Sequence, residues 1–373
     1  VSHWPLVPLS KVLTLHYGKS LDADFRIADG AVPVYGANGI KDYTHKPLCE
    51  GPALIIGRKG SAGEIKRADE PFWPLDVTYF SEHDKTTTEL SYLEYLLHSL
   101  DLPSLAKGVK PGINRNDVYA IEIPLPPLNE QKRIVAVLDQ AFAALDRAHI
   151  NAETNLADGQ ALFERVLLTT FDELLPTANM KTLAEAAKDF SRGKSKHRPR
   201  NDPALYGGKY PFIQTGDVRK AQGGIREFSQ SYNEMGLMQS KLWPVGTVCI
   251  TIAANIADTG VLEIEACFPD SVIGMVPKPD EATPYYVEYM LRYFAEELKL
   301  KGKGSAQDNI NLATFEESEF PFPPLNQQEE IVKKLNALST HVVNLRARYM
   351  HTAAEVAALR QSLLQAAFSG QLT

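Results

Sequence analysis

Asp270, which follows Pro269, and the pair Glu297 and Lys299 have the residue types of a metal-dependent nuclease site. Such a site needs the glutamate and lysine two apart on a strand, where both side chains emerge on one face beside the metal. The run from Tyr285 to Leu298 has helical spacing instead. Val287, Met290, Leu291, Phe294 and Leu298 form one apolar stripe, which puts the pair on a solvated helix face. Gly57-Arg-Lys-Gly-Ser-Ala-Gly63 has the outline of a phosphate loop, but Glu64 stands where lysine and then serine or threonine are required. Methyl transfer to a base amino group would need an Asn/Asp-Pro-Pro-aromatic tetrad, and the Pro-Pro pairs here are followed by leucine. The 9 histidines contain no His-Glu-x-x-His, and Cys49, Cys249 and Cys267 lack metal-ligand spacing. No catalytic constellation emerges, and the chemistry left to this chain is binding.

The strongest binding signal is Arg192-Gly-Lys194-Ser-Lys196-His-Arg198-Pro-Arg200, whose alternating cations on a loop suit phosphate contacts. A second is Lys299-Leu-Lys301-Gly-Lys303, followed by the amide-rich stretch to Asn311, where cations for phosphates stand beside amides for base edges. Lys107, Lys110 and Arg115 occupy the equivalent place in the first half of the chain. Tyr35-Gly-Ala-Asn38-Gly39, with Lys41 behind it, and Gln214-Thr215-Gly216-Asp217 read as glycine-containing turns with polar side chains after matched strands.

The elements that must position these residues are written twice. Pro124-Leu-Pro-Pro-Leu-Asn-Glu-Gln131 returns as Pro321-Phe-Pro-Pro-Leu-Asn-Gln-Gln328, an offset of 197 residues that persists to Phe171 and Phe368. One inserted residue would turn a helix's apolar stripe by about 100°, so constant spacing implies two helices packed along their lengths. The second copy steps by four and three through Ile331, Leu335, Leu338, Val342, Leu345, Tyr349, Thr352, Val356, Leu359, Leu363 and Ala366. The first copy places Ile134, Leu138, Ala141, Leu145, Ala148, Ala152, Asn155, Gly159, Leu162, Val166 and Thr169 on the same coiled-coil seam. Asn129 and Asn326 are the expected N-caps. Each helix is expected to run roughly 40 residues, and the two to pair antiparallel about a pseudo-two-fold axis.

The repeat continues through the preceding globular halves: Gly18-Lys-Ser20 matches Gly193-Lys-Ser195, and Tyr92-Leu-Glu94-Tyr95 matches Tyr286-Val-Glu288-Tyr289. Residues 52–57 and 246–252 read as buried strands, and one helix per half is expected near Leu90–Leu100 and Pro284–Leu300. The fold class is therefore α+β, in four parts: recognition domains at 1–123 and 177–320, and helical spacers at 124–176 and 321–373. The 373 residues carry a net charge of −7, a mild argument against nucleic acid that local charge in a groove can override. With no apolar run of membrane length and no signal pattern at the amino terminus, a cytoplasmic location is expected.

These motifs together resemble the specificity subunit of type I restriction–modification systems (the HsdS family). The duplicated Pro-Pro-Leu-Asn-Glu/Gln-Gln helix opening carries the resemblance, with Tyr35–Gly39 and Gly51–Gly60 like one target-recognition type. Phe212–Asp217, Cys249–Asn255 and Phe268–Val272 are like another. The resemblance implies a non-catalytic subunit with two target-recognition domains, each reading half of a bipartite double-stranded DNA target. The helices would dock two modification subunits, which bind S-adenosylmethionine and methylate adenine, and ATP-driven, Mg-dependent restriction subunits join through the complex. No cofactor or metal is expected in this chain, and the setting is the prokaryotic cytoplasm. The DNA-binding residues expected on this reading are Tyr35, Asn38, Lys41, Arg58, Lys59, Lys107, Lys110, Arg115, Arg192, Lys194, Lys196, Arg198, Arg200, Gln214, Thr215, Asp217, Asn255, Lys301 and Lys303. Phe171-Asp-Glu-Leu174 departs from the Phe-Ser-Gly-Gln-Leu pattern at Phe368–Leu372, so the first helix is expected to end differently. The alternative is a stand-alone DNA nuclease or methyltransferase with a degenerate site.

Overall fold

The computed structural model describes residues 4–197, 199–221, 223–253, 256–303, 310 and 312–372, without the side chains of 302, 303 and 316. Contacts divide the chain into two units, the first made of 1–153 and 348–373, the second of 154–347. The division cuts through two long helices, Leu128–Leu174 and Leu325–Phe368.

In the first unit, four antiparallel strands stand in the order Leu13–Tyr17, Thr78–His83, Ala53–Gly57, Ile65–Ala68. Ala53–Gly57 is buried at every residue, as its unbroken apolar run demands. A smaller sheet pairs Val32–Gly36 with Gly39–Thr44 antiparallel and with Trp73–Pro74 parallel. The helix Leu90–Ser99, capped where the Glu89 carboxylate accepts the Ser91 N–H, packs Tyr92, Leu93, Leu96 and Leu97 into the core. A ribbon of Leu6–Pro8 and Glu122–Pro124 leads into the first long helix.

The second unit repeats this plan. Its main sheet runs Ala187–Arg192, Val272–Pro277, Val248–Thr251, Thr259–Leu262, and gains Gly223–Ile225 as a parallel edge. A hairpin of Tyr206–Phe212 and Gln230–Tyr232 stands for the smaller sheet, and Met180–Lys181 with Phe320–Pro321 for the ribbon. The glycines matched in sequence are matched in space. A Cβ on Gly18 would lie 2.1 Å from the Leu75 carbonyl oxygen, and one on Gly193 would lie 2.4 Å from that of Phe268. Both buried strands are as expected. The single helix expected at Pro284–Leu300 is two, Pro284–Tyr293 and Ala295–Lys303.

The two long helices pack together, and within each unit their directions oppose. In the first unit Ile134, Leu138 and Phe142 share a core with Leu364 and Ala367, Asp146 pairs with Arg360, and His149 faces Tyr349 with ring centroids 5.5 Å apart. In the second unit Gly159 lies under Leu345 and Val342, and Leu167 and Phe171 share a core with Ile331 and Leu335. Rising numbers on one helix meet falling numbers on the other.

Two details differ from the sequence reading. The first helix's seam steps from Leu145 to His149, and continues through Ala152, Leu156, Gly159, Phe163 and Val166, leaving Ala148, Asn155, Leu162 and Thr169 exposed. Two successive steps of four, Ala141 to Leu145 to His149, follow the 3.6-residue turn more closely than a strict heptad does. Leu359 is similarly half exposed on the second helix. Nor are Asn129 and Asn326 caps. The helices begin at Leu128 and Leu325, one residue before each asparagine, with the Pro127 and Pro324 carbonyls accepting the Gln131 and Gln328 N–H at 3.0 and 3.1 Å, which places each asparagine inside the first turn.

Candidate nucleic-acid interface

In the first unit, three loops meet at one end of the main sheet. The turn Arg58–Gly63 is bound to the residues before the Thr78–His83 strand, the Arg58 and Lys59 N–H both donating to the Val77 carbonyl. It is bound also to the hairpin Lys107–Gly112, through a bridge between Lys59 and Gly112 and a 3.0 Å bond from the Gly60 N–H to the Pro111 carbonyl. Lys59, Lys107 and Lys110 are exposed on this surface. Lys107 is paired with Asp117 at 2.9 Å. Arg58 donates from Nε and Nη2 to the Asp76 carbonyl at 3.0 and 2.7 Å. Arg115 is half-buried and donates from Nη1 to the Leu15 carbonyl at 3.0 Å. Both guanidiniums rest against Tyr17, 5.4 and 5.2 Å from its ring centroid. Asn38 is exposed in the turn between two paired strands, and that turn adjoins Gly57, where a Cβ would lie 2.8 Å from the Ala37 oxygen. Lys41 is exposed on the next strand, its aliphatic stem lying over Gly36.

Tyr35 is corrected. It is 9% exposed inside its strand, packs edge-on against Phe72, and burial with the Asp69 carboxylate raises its phenol above the ordinary value. The ring is core, because the glycines that suggested an open turn follow it rather than hold it.

In the second unit the basic run is strapped down. Arg192 Nε donates to the Asp270 carbonyl at 2.8 Å, and Arg200 Nη2 to the Asp270 carboxylate at 2.7 Å. Ser240 binds the Lys194 carbonyl, Gln239 accepts the His197 N–H, and Tyr206 binds the Arg200 carbonyl. Lys194 and Lys196 present exposed side chains between these ties. Asp270 therefore serves two arginines rather than a metal. Glu297 pairs with Lys301, and Lys299 with Glu296, along one helix. Among the described residues no group of three His, Cys, Asp or Glu is placed to hold a metal ion.

Three further expectations change. Asp217 is a helix cap: its Oδ2 accepts the Gln214 N–H at 2.9 Å and the Ser229 hydroxyl at 3.1 Å. Lys301 is not a free phosphate ligand, since it also donates to the Ser318 hydroxyl at 3.0 Å. Gln214 is partly spent on Gln230, at 2.6 Å, while Thr215 begins the short helix Thr215–Lys220 half-exposed. Arg198, Asn255 and the side chain of Lys303 lie outside the described residues.

Sequence reasoning missed Tyr17 and Asp76. Each adjoins a signal that was visible: Tyr17 precedes the matched Gly18, and Asp76 holds the place in its unit that Asp270 holds in the other. In both units an arginine donates to the carbonyl of the aspartate that precedes a central strand. The scaffold is repeated while the side chains at its loop ends differ.

Comparison with known proteins agrees with this architecture. The family model for the type I restriction modification DNA specificity domain matches residues 2–155 and 186–348. A protein described as a type I restriction enzyme specificity subunit in Haemophilus influenzae is 23% identical over 342 residues, covering 89% of this chain and 87% of its own length. The HsdS subunit of Thermoanaerobacter tengcongensis superposes with a TM-score of 0.63 at 20% identity, covering 100% of this chain and 98% of its own. A chain from a structure of complex assembly and conformational transition in the type I R-M system gives 0.74 at 20% identity, covering 99% and 98%. The solved structures match in fold, and the family match extends over most of the sequence. The chain belongs to the type I restriction modification DNA specificity family and is the DNA specificity subunit of such a system.

Proposed function

We propose that each unit reads one half of a bipartite double-stranded DNA target, through residues 1–123 and 177–320 respectively. Residues 124–176 and 321–373 form the spacer that fixes the unread gap and docks two modification subunits, with restriction subunits joining through that complex. S-adenosylmethionine, ATP and Mg belong to those partners. A prokaryotic cytoplasm is the setting, consistent with the finding that no helix among the described residues is long and apolar enough to cross a membrane.

One observation carries this reading. A repeated scaffold offers different chemistry at equivalent loops: Arg58 and Lys59 follow the buried strand of the first unit, and Ile252 and Ala253 follow that of the second. Two frames with unlike readers are what an asymmetric target requires, because base identity is read by side-chain donors and acceptors while the frame sets register. Asn38, exposed and uncharged beside the Arg58 loop, is the first unit's base reader. Gln214 and Thr215 are the second's, and Lys194 and Lys196 supply phosphate contacts. A transplant tests the division: replacing residues 36–41 with those of another family member should change one half of the methylated sequence and leave the other. A change in both halves would refute separate reading.

A further inference from the structure

We propose that Tyr17 is a positioning residue that holds Arg58 and Arg115 together as a phosphate clamp in the first unit; the proposal rests on the DNA-reading function above. Tyr17 ends its strand 50% exposed, its ring edge-on to that of Tyr79, 5.0 Å away at 64°, and its side chain hydrogen-bonded to the Tyr79 side chain. Two guanidiniums sit against this one ring, at 5.4 and 5.2 Å. Two like charges repel, and the negative face of an aromatic ring offsets part of that repulsion. Carbonyl oxygens fix each arginine separately, with Arg115 also 5.6 Å from the Tyr119 centroid, and Tyr17 is the one ring that both heads share.

The anchoring decides what the clamp can hold. Guanine is read by a bidentate arginine fork. The Nε and Nη2 edge of Arg58 is already bonded to the Asp76 carbonyl, and Arg115 Nη1 to the Leu15 carbonyl. Held to the end of the sheet in this way, the two heads keep their charge and outward N–H groups, the Nη1 end of Arg58 among them, but not the reach of an unanchored arginine that enters a groove. Phosphate oxygens accept such donors without regard to sequence. Lys59 and Lys110 extend the same charge along the adjoining loops, and the carboxylate of Asp117, two residues after Arg115, is paired with Lys107. The second unit has no counterpart, since the residue before its matched glycine is Arg192.

The test uses the full chain and a labelled duplex of arbitrary sequence, with affinity measured across a salt series. Tyr17→Leu should weaken binding roughly tenfold at low salt and flatten the slope of log affinity against log salt by about 1.8, the loss of two phosphate contacts. Tyr17→Phe, which restores the ring, should recover most of the affinity and the slope, a rescue that a role for the hydroxyl would not produce. Arg58→Gln added to Tyr17→Leu should cost little more, because the clamp is already open. If Tyr17→Leu fails to fold by thermal melting, Arg115→Gln carries the test and should flatten the slope by about 0.9. An unchanged slope in Tyr17→Leu, alongside a flattened one in Lys59→Gln/Lys110→Gln, would overturn the clamp and leave the DNA-reading function standing. Failure of the unsubstituted chain to bind any duplex with salt dependence would overturn both.

Discussion

Gln131 and Gln328, 197 positions apart, make the same three hydrogen bonds in their two units. Gln131 Nε2 donates to the Pro126 and Thr87 carbonyls, and its Oε1 accepts the Glu89 N–H. Gln328 Nε2 donates to the Pro323 and Glu281 carbonyls, and its Oε1 accepts the Thr283 N–H. Both side chains are fully buried, and in each unit the bond to the proline carbonyl is itself buried, where an unmade hydrogen bond is costly. They join the opening of a long helix to the segment that starts a recognition-domain helix. Tyr92 and Tyr286 reinforce the joint by donating to the Pro124 and Pro321 carbonyls at 2.8 and 2.7 Å.

Gln131→Met and Gln328→Met keep the volume and remove the amide. Each should destabilise its own unit by about 2–4 kcal/mol, because buried backbone groups lose their partners. Urea unfolding of the two single variants checks this, and a loss below about 1 kcal/mol would show that the joint is not pinned by glutamine.

Glu288 gives a pH dependence. Its carboxyl is wholly buried on the helix Pro284–Tyr293, with Arg292 at 2.7 Å and the Thr259 hydroxyl at 3.3 Å, and one oxygen lacks a hydrogen bond. Burial raises its pKa, outweighing the Arg292 charge and these bonds. The folded state therefore binds the proton more tightly than the unfolded one. The resulting stability is complete below the ordinary glutamate value and is lost as pH rises through the raised one. Glu288→Gln should flatten the fall in melting temperature of the second unit over that interval. An unaltered profile would assign the dependence to other groups.

Ala257 occupies a left-handed conformation, φ 64°, at the place where the first unit has Gly63 at 88°. Its N–H bonds back to Thr251 as that of Gly63 does to Gly57. Ala257→Gly should stabilise the second unit by up to about 1 kcal/mol, the strain of a Cβ in this region less the added freedom of glycine when unfolded. Denaturant midpoints decide the sign.

The basic run 192–200 was legible as charge but not as structure. Alternating cations could be read from the sequence; that Asp270, some seventy residues on, holds two of them could not. Lys194→Ala/Lys196→Ala should therefore flatten the salt dependence of DNA binding by about 0.9 per lost phosphate contact. Arg200→Ala should flatten it less, and lower the melting temperature as its tie to Asp270 is lost. Equal slopes in all three would contradict this partition.

What the sequence showed well was whatever repeats: the pairing of the long helices followed from an unbroken offset, and the matched glycines and helices of the two globular halves from shared motifs. It showed poorly where polar side chains point. Tyr35 and Asp217 had the residue types of readers, yet one fills a core and the other caps a helix, because burial and capping use the same groups as recognition. The seam of the first helix slipped at Ala148 because alanine, asparagine and glycine carry little apolar contrast. Gly159 brings no apolar side chain to the seam, yet its missing Cβ is what admits Leu345, which a methyl group would meet at 2.6 Å.

The helices should act as a ruler, and the packing shows how to lengthen it. His149 faces Tyr349 in the first unit, and Gly159 faces Leu345 in the second. Four residues inserted after Ala152, matched by four after Ala347, would leave both contacts within their units intact. Each insertion adds about 6 Å and just over one turn, and adds a further step of four of the kind the first helix already contains at Leu145. B-DNA advances about 3.4 Å per base pair, so the preferred gap should lengthen by one or two base pairs with both half-sites unchanged. A paired seven-residue insertion should add about 10 Å, near three base pairs. Sequencing of modified adenines in cells carrying each variant reads the gap directly. A four-residue variant that still modifies only the parental spacing would show that something other than these helices sets the distance.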